Sequence, residues 1–455
     1  MRSARLGDVT VSMKNGLYKP ATEYGDDGTP CLRMYNIDAG SIVWRDIRRM
    51  RISAAEFEDY RLREGDLLVN RVNSRELVGK AAYIPASLEP SIFESKNIRV
   101  RLDTSKVLPK FINYQLLFGS RRYFAGNAQQ VVGMASISQQ QLADFPIVMA
   151  DLDAQHCIVA ELEKQFSRLD EAVANLKRVK ANLKRYKAAV LKAAVEGRLV
   201  PTEAELARQE GRTFETADEQ LVCLHGARKD GRAGGVSGRA RASEVASKLP
   251  ALPAGWCWSD FEAVADRVTV GHVGPMKGEY VAEGIPFLRS QNVRPNRYDP
   301  EGLKFISLEF HAKLQKSALQ PGDIVVVRSG GVGVACVIPE SLPVANCSDL
   351  VIIKRPRGVL PGYGAFYLNA VVDSRIAAGR VGVALAHFNT KSVAKLPVPV
   401  PPIAEQVRIV LEVDRRFSVA ATVETEVDLN LERARSARQA LLRTMFSGQA
   451  SEARE

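Results

Sequence analysis

The sequence has few of the residues that build metal centres, disulfide frameworks or membrane spans. Its six cysteines are scattered through 455 residues without a Cys-x-x-Cys pair, which argues against a zinc site and against a disulfide framework. No run approaches the ~20 apolar residues of a membrane span, and the first residues carry no apolar stretch typical of a signal peptide. We therefore expect a cytoplasmic protein with reduced, mostly buried cysteines.

The usual signatures of catalysis are missing as well. The five histidines lie far apart, none in a His-Glu-x-x-His array, and no Gly-x-x-x-x-Gly-Lys-[Ser/Thr] loop occurs. The glycine-rich run 330–333 lacks the spacing of a dinucleotide loop, which favours a tight turn over a nucleotide site. Asp66 and Asp323 each follow a glycine in a turn, which explains them without chemistry. The sequence predicts no catalytic residue and no metal ligand, although a metal nuclease stays possible because its acidic residues need no tight spacing.

Positive charge is in excess. Lysine and arginine number 63 against 52 aspartates and glutamates, a formal net charge of +11. Such a balance favours a polyanionic partner, although many basic proteins bind no nucleic acid. The composition is otherwise that of a globular protein, and the length suffices for about three domain-sized units.

An internal repeat organises the chain. Residues 134–199 align without a gap onto 385–450 at a constant offset of 251, and Gln155 falls on Gln406. Each copy holds a region rich in short apolar runs and Gly/Pro turns, followed by one long helical segment. Between the copies, Gly-Arg and Ala-Gly-Gly clusters with few large apolar residues predict a loose connector. We predict these segments: globular regions at 1–150 and 251–400, long helices at 151–200 and 401–450, and a linker at 201–250.

Both long segments carry heptad spacing over about four repeats, which is typical of a coiled coil. The first stripe consists of Phe166, Leu169, Val173, Leu176, Lys180, Leu183, Lys187 and Val190. The second consists of Val413, Phe417, Ala420, Glu424, Val427, Leu431, Ala434, Arg438, Leu441 and Met445. Each helix should span about 40 residues, or on the order of 60 Å. Gly197 and Gly448 lie where a C-cap would fall.

A helix of this length exposes an apolar stripe that needs a partner. One alternative is that each stripe packs on its own globular region; the length favours a mutual coiled coil. Two copies of one unit usually relate by an approximate twofold, which predicts antiparallel helices with the globular regions at opposite ends. Glu424 and the stripe lysines, Lys180 and Lys187, are then expected to meet across the helix pair and fix its register.

Two recurring elements carry polar side chains. A Gly-Asp turn and an apolar strand precede a polar loop in each half, at 70–75 and 328–331. An arginine and an asparagine three apart also recur, at Arg33 and Asn36 and at Arg289 and Asn292. Arginine and asparagine read guanine and adenine edges bidentately, and a strand end presents them rigidly.

Structural alternatives exist for these residues: the arginines can be ordinary surface charges, and Asn36 and Asn292 can satisfy the backbone of a turn. The polar runs at 129–130 and 136–138, and their counterparts near His387, Asn389 and Thr390, are weaker candidates, most of which we interpret as helix caps. The predicted DNA-binding side chains are Arg33, Asn36, Arg71, Asn73, Arg75, Lys80, Arg289, Gln291, Asn292, Arg328 and Ser329.

The whole arrangement resembles the specificity subunits of type I restriction-modification systems. The matching residues are the Gly-Asp elements at 65–66 and 322–323, the entry Leu-Pro-Ala-Gly-Trp-Cys-Trp at 252–258, and Pro-Val-Pro-Pro-Ile-Ala-Glu-Gln at 399–406 before the second helix. The first copy departs from that lead-in, since 149–155 keeps only the glutamine. The likeness covers nearly the whole chain except the linker.

The resemblance implies an α+β fold with two pseudo-twofold-related target-recognition domains separated by an antiparallel two-helix coiled coil. Each domain would read one half of a split, asymmetric double-stranded DNA site with a fixed gap. Because 71–73 and 328–330 differ, the halves should read different sequences. The chain itself would hold no catalytic centre and no cofactor.

The chemistry would then belong to partner subunits. The resemblance implies two copies of a methyltransferase (modification) subunit with S-adenosylmethionine, and restriction subunits that translocate DNA with ATP and Mg²⁺. Two other classes stay open at this point: a stand-alone DNA-binding or regulatory protein with two recognition domains, and a self-contained nuclease or methyltransferase.

Overall fold

In the computed structural model, residues 2–131, 134–226, 249–376 and 389–447 are described. The chain divides into two compact units, Met1–Arg178 with Val427–Glu455, and Val179–Glu426. We call them unit one and unit two.

Unit one is built from short strands and a few helices. Its strands are β1 Arg2–Arg5, β2 Thr10–Asn15, β3 Tyr24–Gly25, β4 Thr29–Leu32, β5 Ile37–Asp38, β6 Ser41–Ile42, β7 Arg48–Met50, β8 Leu67–Asn70, β9 Val72–Asn73, β10 Ala81–Tyr83, β11 Ile92–Phe93, β12 Asn97–Leu102, β13 Gln129–Val131, β14 Met134–Ser136 and β15 Pro146–Met149. Its helices are α1 Ala54–Tyr60, α2 Pro109–Asn127, α3 Gln139–Ala143 and the first part of α4 Leu152–Val195.

Two four-stranded sheets form the centre of unit one. The antiparallel sheet has the order β10-β8-β12-β2, and the other has the order β11-β4-β7-β3 with β11 parallel to β4. Strand β8 is buried along its whole length, as its apolar sequence predicts for a strand covered on both faces. Leu67 packs into a cluster with Phe111 of α2, and Leu68 into another with Phe93. The loop that follows β8 therefore begins at the end of a buried strand that is packed on both faces.

Unit two repeats this plan. Its strands are β16 Cys257–Asp260, β17 Ala265–Val270, β18 Tyr280–Val281, β19 Ile285–Leu288, β20 Val293–Arg294, β21 Arg297–Tyr298, β22 Lys304–Ile306, β23 Ile324–Val327, β24 Ala335–Val337, β25 Asn346–Cys347, β26 Leu350–Pro356 and β27 Pro397–Val400. Its helices are α5 Glu203–Glu210, α6 Ala217–Gly226, α7 Leu308–Lys313, α8 Pro361–Ile376, α9 Thr390–Ala394 and the first part of α10 Ile403–Ser447. The sheets have the orders β17-β26-β23-β24 and β18-β22-β19-β25. Strand β23 is again buried on both faces.

The two Gly-Asp turns have the same local structure. Gly65 and Gly322 adopt left-handed φ angles of 85° and 84°, which glycine tolerates best. Asp66 accepts a hydrogen bond from the backbone N–H of Arg63, and Asp323 accepts one from that of Gln320. Both aspartates are buried, so the interpretation as turn residues is confirmed.

The glutamine that both copies keep anchors the start of each long helix. Gln155 accepts a hydrogen bond from the N–H of Leu108 at 2.8 Å and donates to the carbonyls of Lys106 and Ala150. Gln406 makes the same three bonds with Leu360, Gly358 and Pro401. A buried amide used in this way ties the helix to the globular region before it.

The prediction of two long helices is confirmed, at 44 residues for α4 and 45 for α10. In unit one, Phe166 of α4 packs in one cluster with Leu442 and Phe446 of α10. In unit two, Val190 of α4 shares a cluster with Val413 near the start of α10. Early residues of one helix meet late residues of the other, which is the pairing of antiparallel helices. Gly448 lies outside the described residues.

Charged residues inside the stripes pair between the helices. Lys187 Nζ lies 2.5 Å from Glu424 Oε2 in unit two, as predicted. In unit one, Arg438 pairs with Asp170 at 2.7 Å. Lys180 lies at an exposed position of α4.

A charge exchange tests whether the Lys187–Glu424 pair helps to set the helix register. Glu424→Lys should lower the free energy of unfolding by about 0.5–1 kcal/mol, because it places like charges together at a half-exposed position. Adding Lys187→Glu to this variant should restore the free energy of unfolding. Melting followed by circular dichroism measures both, with Glu426→Lys, an exposed position on the same helix, as the matched control. A double variant no more stable than Glu424→Lys would show that the pair makes no such contribution.

The prediction of a loose connector is wrong for 203–226, where α5 and α6 lie. Thr202 caps α5 through a capping box with Glu205, and Ala207 and Leu221 are buried. The segment is held through Glu405, which accepts hydrogen bonds from the N–H of Glu203 and from Trp256 Nε1. Few apolar residues suffice here because buried polar groups supply the remaining contacts. Residues 227–248, which hold most of the glycine clusters, lie outside the described residues.

Candidate nucleic-acid interface

In unit one, the recurring arginine and asparagine form a hydrogen-bonded turn. Asn36 Oδ1 accepts from the backbone N–H of Arg33 at 3.0 Å. Asn36 Nδ2 donates to the carbonyl oxygens of Val43 and Arg45 at 3.1 and 2.9 Å. One buried amide thus joins the turn after β4 to the strand pair that follows it.

The same turn occurs in unit two. Asn292 Oδ1 accepts from the N–H of Arg289 at 3.0 Å, and Asn292 Nδ2 donates to the carbonyls of Asp299 and Glu301, both at 3.0 Å. Asn36 is 1% exposed and Asn292 is 0% exposed. Neither side chain is accessible to a base, so their interpretation as turn residues replaces the prediction that they contact DNA.

Arg33 and Arg289 are held by the turns but stay half-exposed. Arg33 Nη2 donates to the carbonyl of Asp46 at 3.2 Å, and Arg289 Nη2 donates to that of Gly302 at 2.7 Å. Both acceptor residues have left-handed φ angles, 52° and 64°. Two guanidinium groups are therefore fixed in the same way in the two units, as suits a contact common to both halves of a site.

The loop after β8 has a more polar interior than its counterpart. Asn73 is 9% exposed and donates to Asn70 Oδ1 at 2.7 Å, while Asn70 Nδ2 donates to Asn97 Oδ1 at 3.1 Å. Arg71 is half-exposed, and Arg75 is exposed with its Nε on the carbonyl of Ala125 at 2.9 Å. Arg71 and Arg75 stay candidates for DNA contact, whereas the amide of Asn73 is occupied inside the loop.

In unit two the corresponding loop is a glycine turn beside an ion pair. Arg328 Nη1 lies 2.5 Å from Asp349 Oδ1, and Ser329 is exposed. Gly330 and Gly333 have φ angles of 77° and 89°, so this segment is the tight turn that the sequence favoured. The side chain of Arg328 is half-exposed and that of Ser329 is exposed.

A third segment joins the two predicted elements in unit one. Asn97 Nδ2 donates to the carbonyl of Leu32, next to Arg33, and the N–H of Arg71 donates to the carbonyl of Lys96 at 2.9 Å. We call residues 33–36, 71–75 and 94–97 the first loop cluster.

In unit two, the N–H of Ser348 donates to the carbonyl of Leu288, and Asp349 holds Arg328. Residues 289–292, 328–333 and 346–349 form the second loop cluster. Both elements singled out from the sequence therefore lie side by side in each unit.

Comparison with known proteins covers nearly the whole chain. It is 23% identical over 450 residues to the type I restriction enzyme EcoBI specificity subunit of Escherichia coli, covering 97% of this chain and 85% of that protein. It is 22% identical over 415 residues to the putative type I restriction enzyme MjaX specificity subunit of Methanocaldococcus jannaschii, covering 88% and 83%. A chain in a solved structure on complex assembly and conformational transition of the type I R-M system has a TM-score of 0.63 at 18% identity, covering 98% and 97%. No family model matches the sequence.

The chain is similar over nearly its full length to specificity subunits of type I restriction enzymes. The solved chain shares its fold, and the sequence relatives extend over both units. The resemblance inferred from the repeat, the long helices and the Gly-Asp elements is confirmed.

Two further predicted DNA-binding residues, Lys80 and Gln291, differ in their surroundings. Lys80 Nζ donates to the carbonyl of Ile37 at 2.8 Å, and burial lowers the pKa of its ammonium group. Gln291 is exposed and makes one long bond, from Nε2 to the carbonyl of Gly302 at 3.3 Å. Lys80 therefore supports the turn, while the amide of Gln291 has hydrogen-bonding capacity for a partner.

A hairpin next to the first loop cluster was missed by the sequence reasoning. Strands β13 and β14 pair with each other, and β14 pairs with β9, opposing Ser136 to Val72. The polar run at 129–130, interpreted as a cap, is thus strand. The cap interpretation is confirmed for Ser138 and Asn389, which cap α3 and α9. His387 lies outside the described residues.

Two kinds of feature are absent from the described ranges. No group of three or more histidine, cysteine, aspartate or glutamate side chains there is arranged to hold a metal ion. Among the helices that the structure describes, none is both long and apolar enough to cross a bilayer.

Proposed function

We propose that this chain is the DNA-reading subunit of a type I restriction-modification complex and binds a two-part, asymmetric site with a fixed gap. The observation that carries the proposal is the duplicated loop cluster, one in each unit, in a chain similar over nearly its full length to specificity subunits. Each cluster combines a fixed guanidinium with side chains that differ between the units.

Within each loop cluster, different residues suit different kinds of contact with DNA. Phosphate contacts position a protein on DNA, and base contacts specify the sequence. Arg33 and Arg289, held alike in both units, suit phosphate contacts. Arg71 and Arg328 start from buried strands but have different surroundings, so they suit the reading of different bases.

The long helices suit a spacer role. Each of α4 and α10 runs without interruption through residues of both units. A 44-residue helix is about 66 Å long, and one turn of DNA about 34 Å. Since a paired helix does not extend or shorten, we infer that the helices keep the gap between the two half-sites constant.

Catalysis would come from partners. We propose that two modification subunits supply methyl transfer from S-adenosylmethionine, and that restriction subunits supply DNA translocation and cleavage with ATP and Mg²⁺. This chain would direct them to the site and hold no cofactor of its own.

Substituting Arg328 tests whether its side chain contacts a base directly. In a complex with co-expressed modification subunits, Arg328→Ala should weaken binding to the site by roughly 5- to 100-fold and relax the base preference in one half only. Fluorescence anisotropy on duplexes with single base changes measures both effects. The site itself comes from mapping methylated positions in cells that express the complex.

Asp349→Ala is the matched variant, because it removes the same ion pair and leaves the cation. It should bind the site at least as tightly as the wild type. Equal losses in both variants would mean that the pair only stabilises the loop. Tight specific binding by the chain without modification subunits would instead favour a stand-alone DNA-binding protein.

A further inference from the structure

The asparagine-held turns present different side chains at two equivalent positions. Asn36 binds the carbonyls on either side of Trp44, and Asn292 binds those on either side of Pro300. The residue just before each asparagine is Tyr35 in unit one and Gln291 in unit two. The hydrogen-bonded turn is the same in both units, so the two turns differ in the side chains at these positions.

Tyr35 and Trp44 are unusually exposed for aromatic residues. Tyr35 is 66% exposed and Trp44 is 45% exposed. Exposed aromatic side chains are suited to binding contacts, and the side-chain amide of Asn36 connects the backbone segments that carry both residues. Asn36 holds that backbone in one conformation. Little backbone conformational entropy is therefore lost when the two side chains bind a partner.

The surroundings of the two aromatics are basic. The guanidinium carbon of Arg33 lies 5.6 Å from the ring centroid of Tyr35. Arg45 and Arg48 follow Trp44 and are exposed, and Asp46 is paired with Arg45 at 3.6 Å. Nucleic-acid surfaces combine aromatic and cationic groups, and the chain as a whole carries a formal net charge of +11. The combination favours DNA as the occupant.

We propose that Tyr35 and Trp44 read the first half-site by apolar contact with bases, and that Gln291 reads the second by hydrogen bonding. The proposal rests on the DNA-reading function proposed above. A thymine methyl group in the major groove is the base feature that apolar side chains recognise, while glutamine pairs bidentately with adenine. Pro300 has neither a side-chain donor nor an acceptor.

The experiment combines protein variants with base analogues in the complete methyltransferase complex. Tyr35→Ala and Trp44→Ala should each weaken specific binding about 5- to 50-fold and relax base preference in the first half alone. Replacing one thymine of that half with uracil should weaken the wild type and leave the matching alanine variant unaffected. The salt dependence should keep its slope, because no charge is removed.

Gln291→Ala is the control in the other unit and should relax base preference only in the second half. Trp44→Phe keeps an apolar side chain and should retain most of the affinity, which separates loss of contact from loss of folding. If both aromatic variants leave base preference unchanged and instead weaken assembly with the modification subunits in the absence of DNA, the aromatic pair is a protein contact and the proposal is overturned. If the wild-type complex itself shows no sequence preference, the DNA-reading function fails rather than this assignment.

Discussion

Replacing Asn36 with alanine should lower the free energy of unfolding of unit one by about 3 kcal/mol. The variant loses three hydrogen bonds of a buried amide, those with the N–H of Arg33 and with the carbonyls of Val43 and Arg45. Each net bond contributes about 1 kcal/mol, and unsatisfied buried groups cost more. Because Arg33, Tyr35 and Trp44 depend on this turn, recognition of the first half-site should be lost as well. Urea unfolding and hydrogen exchange over residues 33–46 measure the change.

Asn292→Ala is the matched variant and should affect only unit two and the second half-site. Asn127→Ala is the control, since its exposed side chain makes one bond to the carbonyl of Tyr123, and it should change stability by less than about 0.5 kcal/mol. An effect of Asn36→Ala as small as that of Asn127→Ala would show that the turn does not depend on the amide.

The long helices could be predicted because their signal is local and repeated. A heptad spacing kept over some 40 residues leaves few other structures, and a single helix cannot bury such a stripe. Even the charged exceptions were informative, since Glu424 predicted a cationic partner and Lys187 provides it.

The role of the repeated asparagine could not be predicted in the same way. The sequence showed that Asn36 recurs as Asn292, but the carbonyls that bind it come from residues 43 and 45, which carry no pattern of their own. A polar residue that recurs at a surface and one that recurs inside a turn have the same sequence signal. Only tertiary structure separates them.

Other parts of the fold depend on contacts distant in sequence. The backbone of Glu203 is held by Glu405, 202 residues later, so a segment of low apolar content still forms two helices. The two predicted loops of unit one meet through residues 94–97, which the sequence did not single out. The duplication therefore predicted the architecture, but not which side chains of each loop stay free for DNA.

Exchanging residues 1–150 for those of a relative is expected to change one half of the recognised site and leave the other half intact. The exchanged region contains the first loop cluster, and the second cluster lies wholly in unit two. The helices that we propose as the spacer are retained, so the gap should stay the same. The relative must keep aromatic residues at positions 111 and 118, because Phe111 and Phe118 pack on Phe446 of α10 at 5.7 and 6.2 Å.

The most direct measurement is a genome-wide map of methylated positions in cells that express the modification subunits with either the original or the exchanged chain. We predict a two-part motif in both cases, with the same gap, one shared half and one new half. A single uninterrupted motif, or a change in both halves after the exchange, would contradict two independent reading units on a common helical spacer.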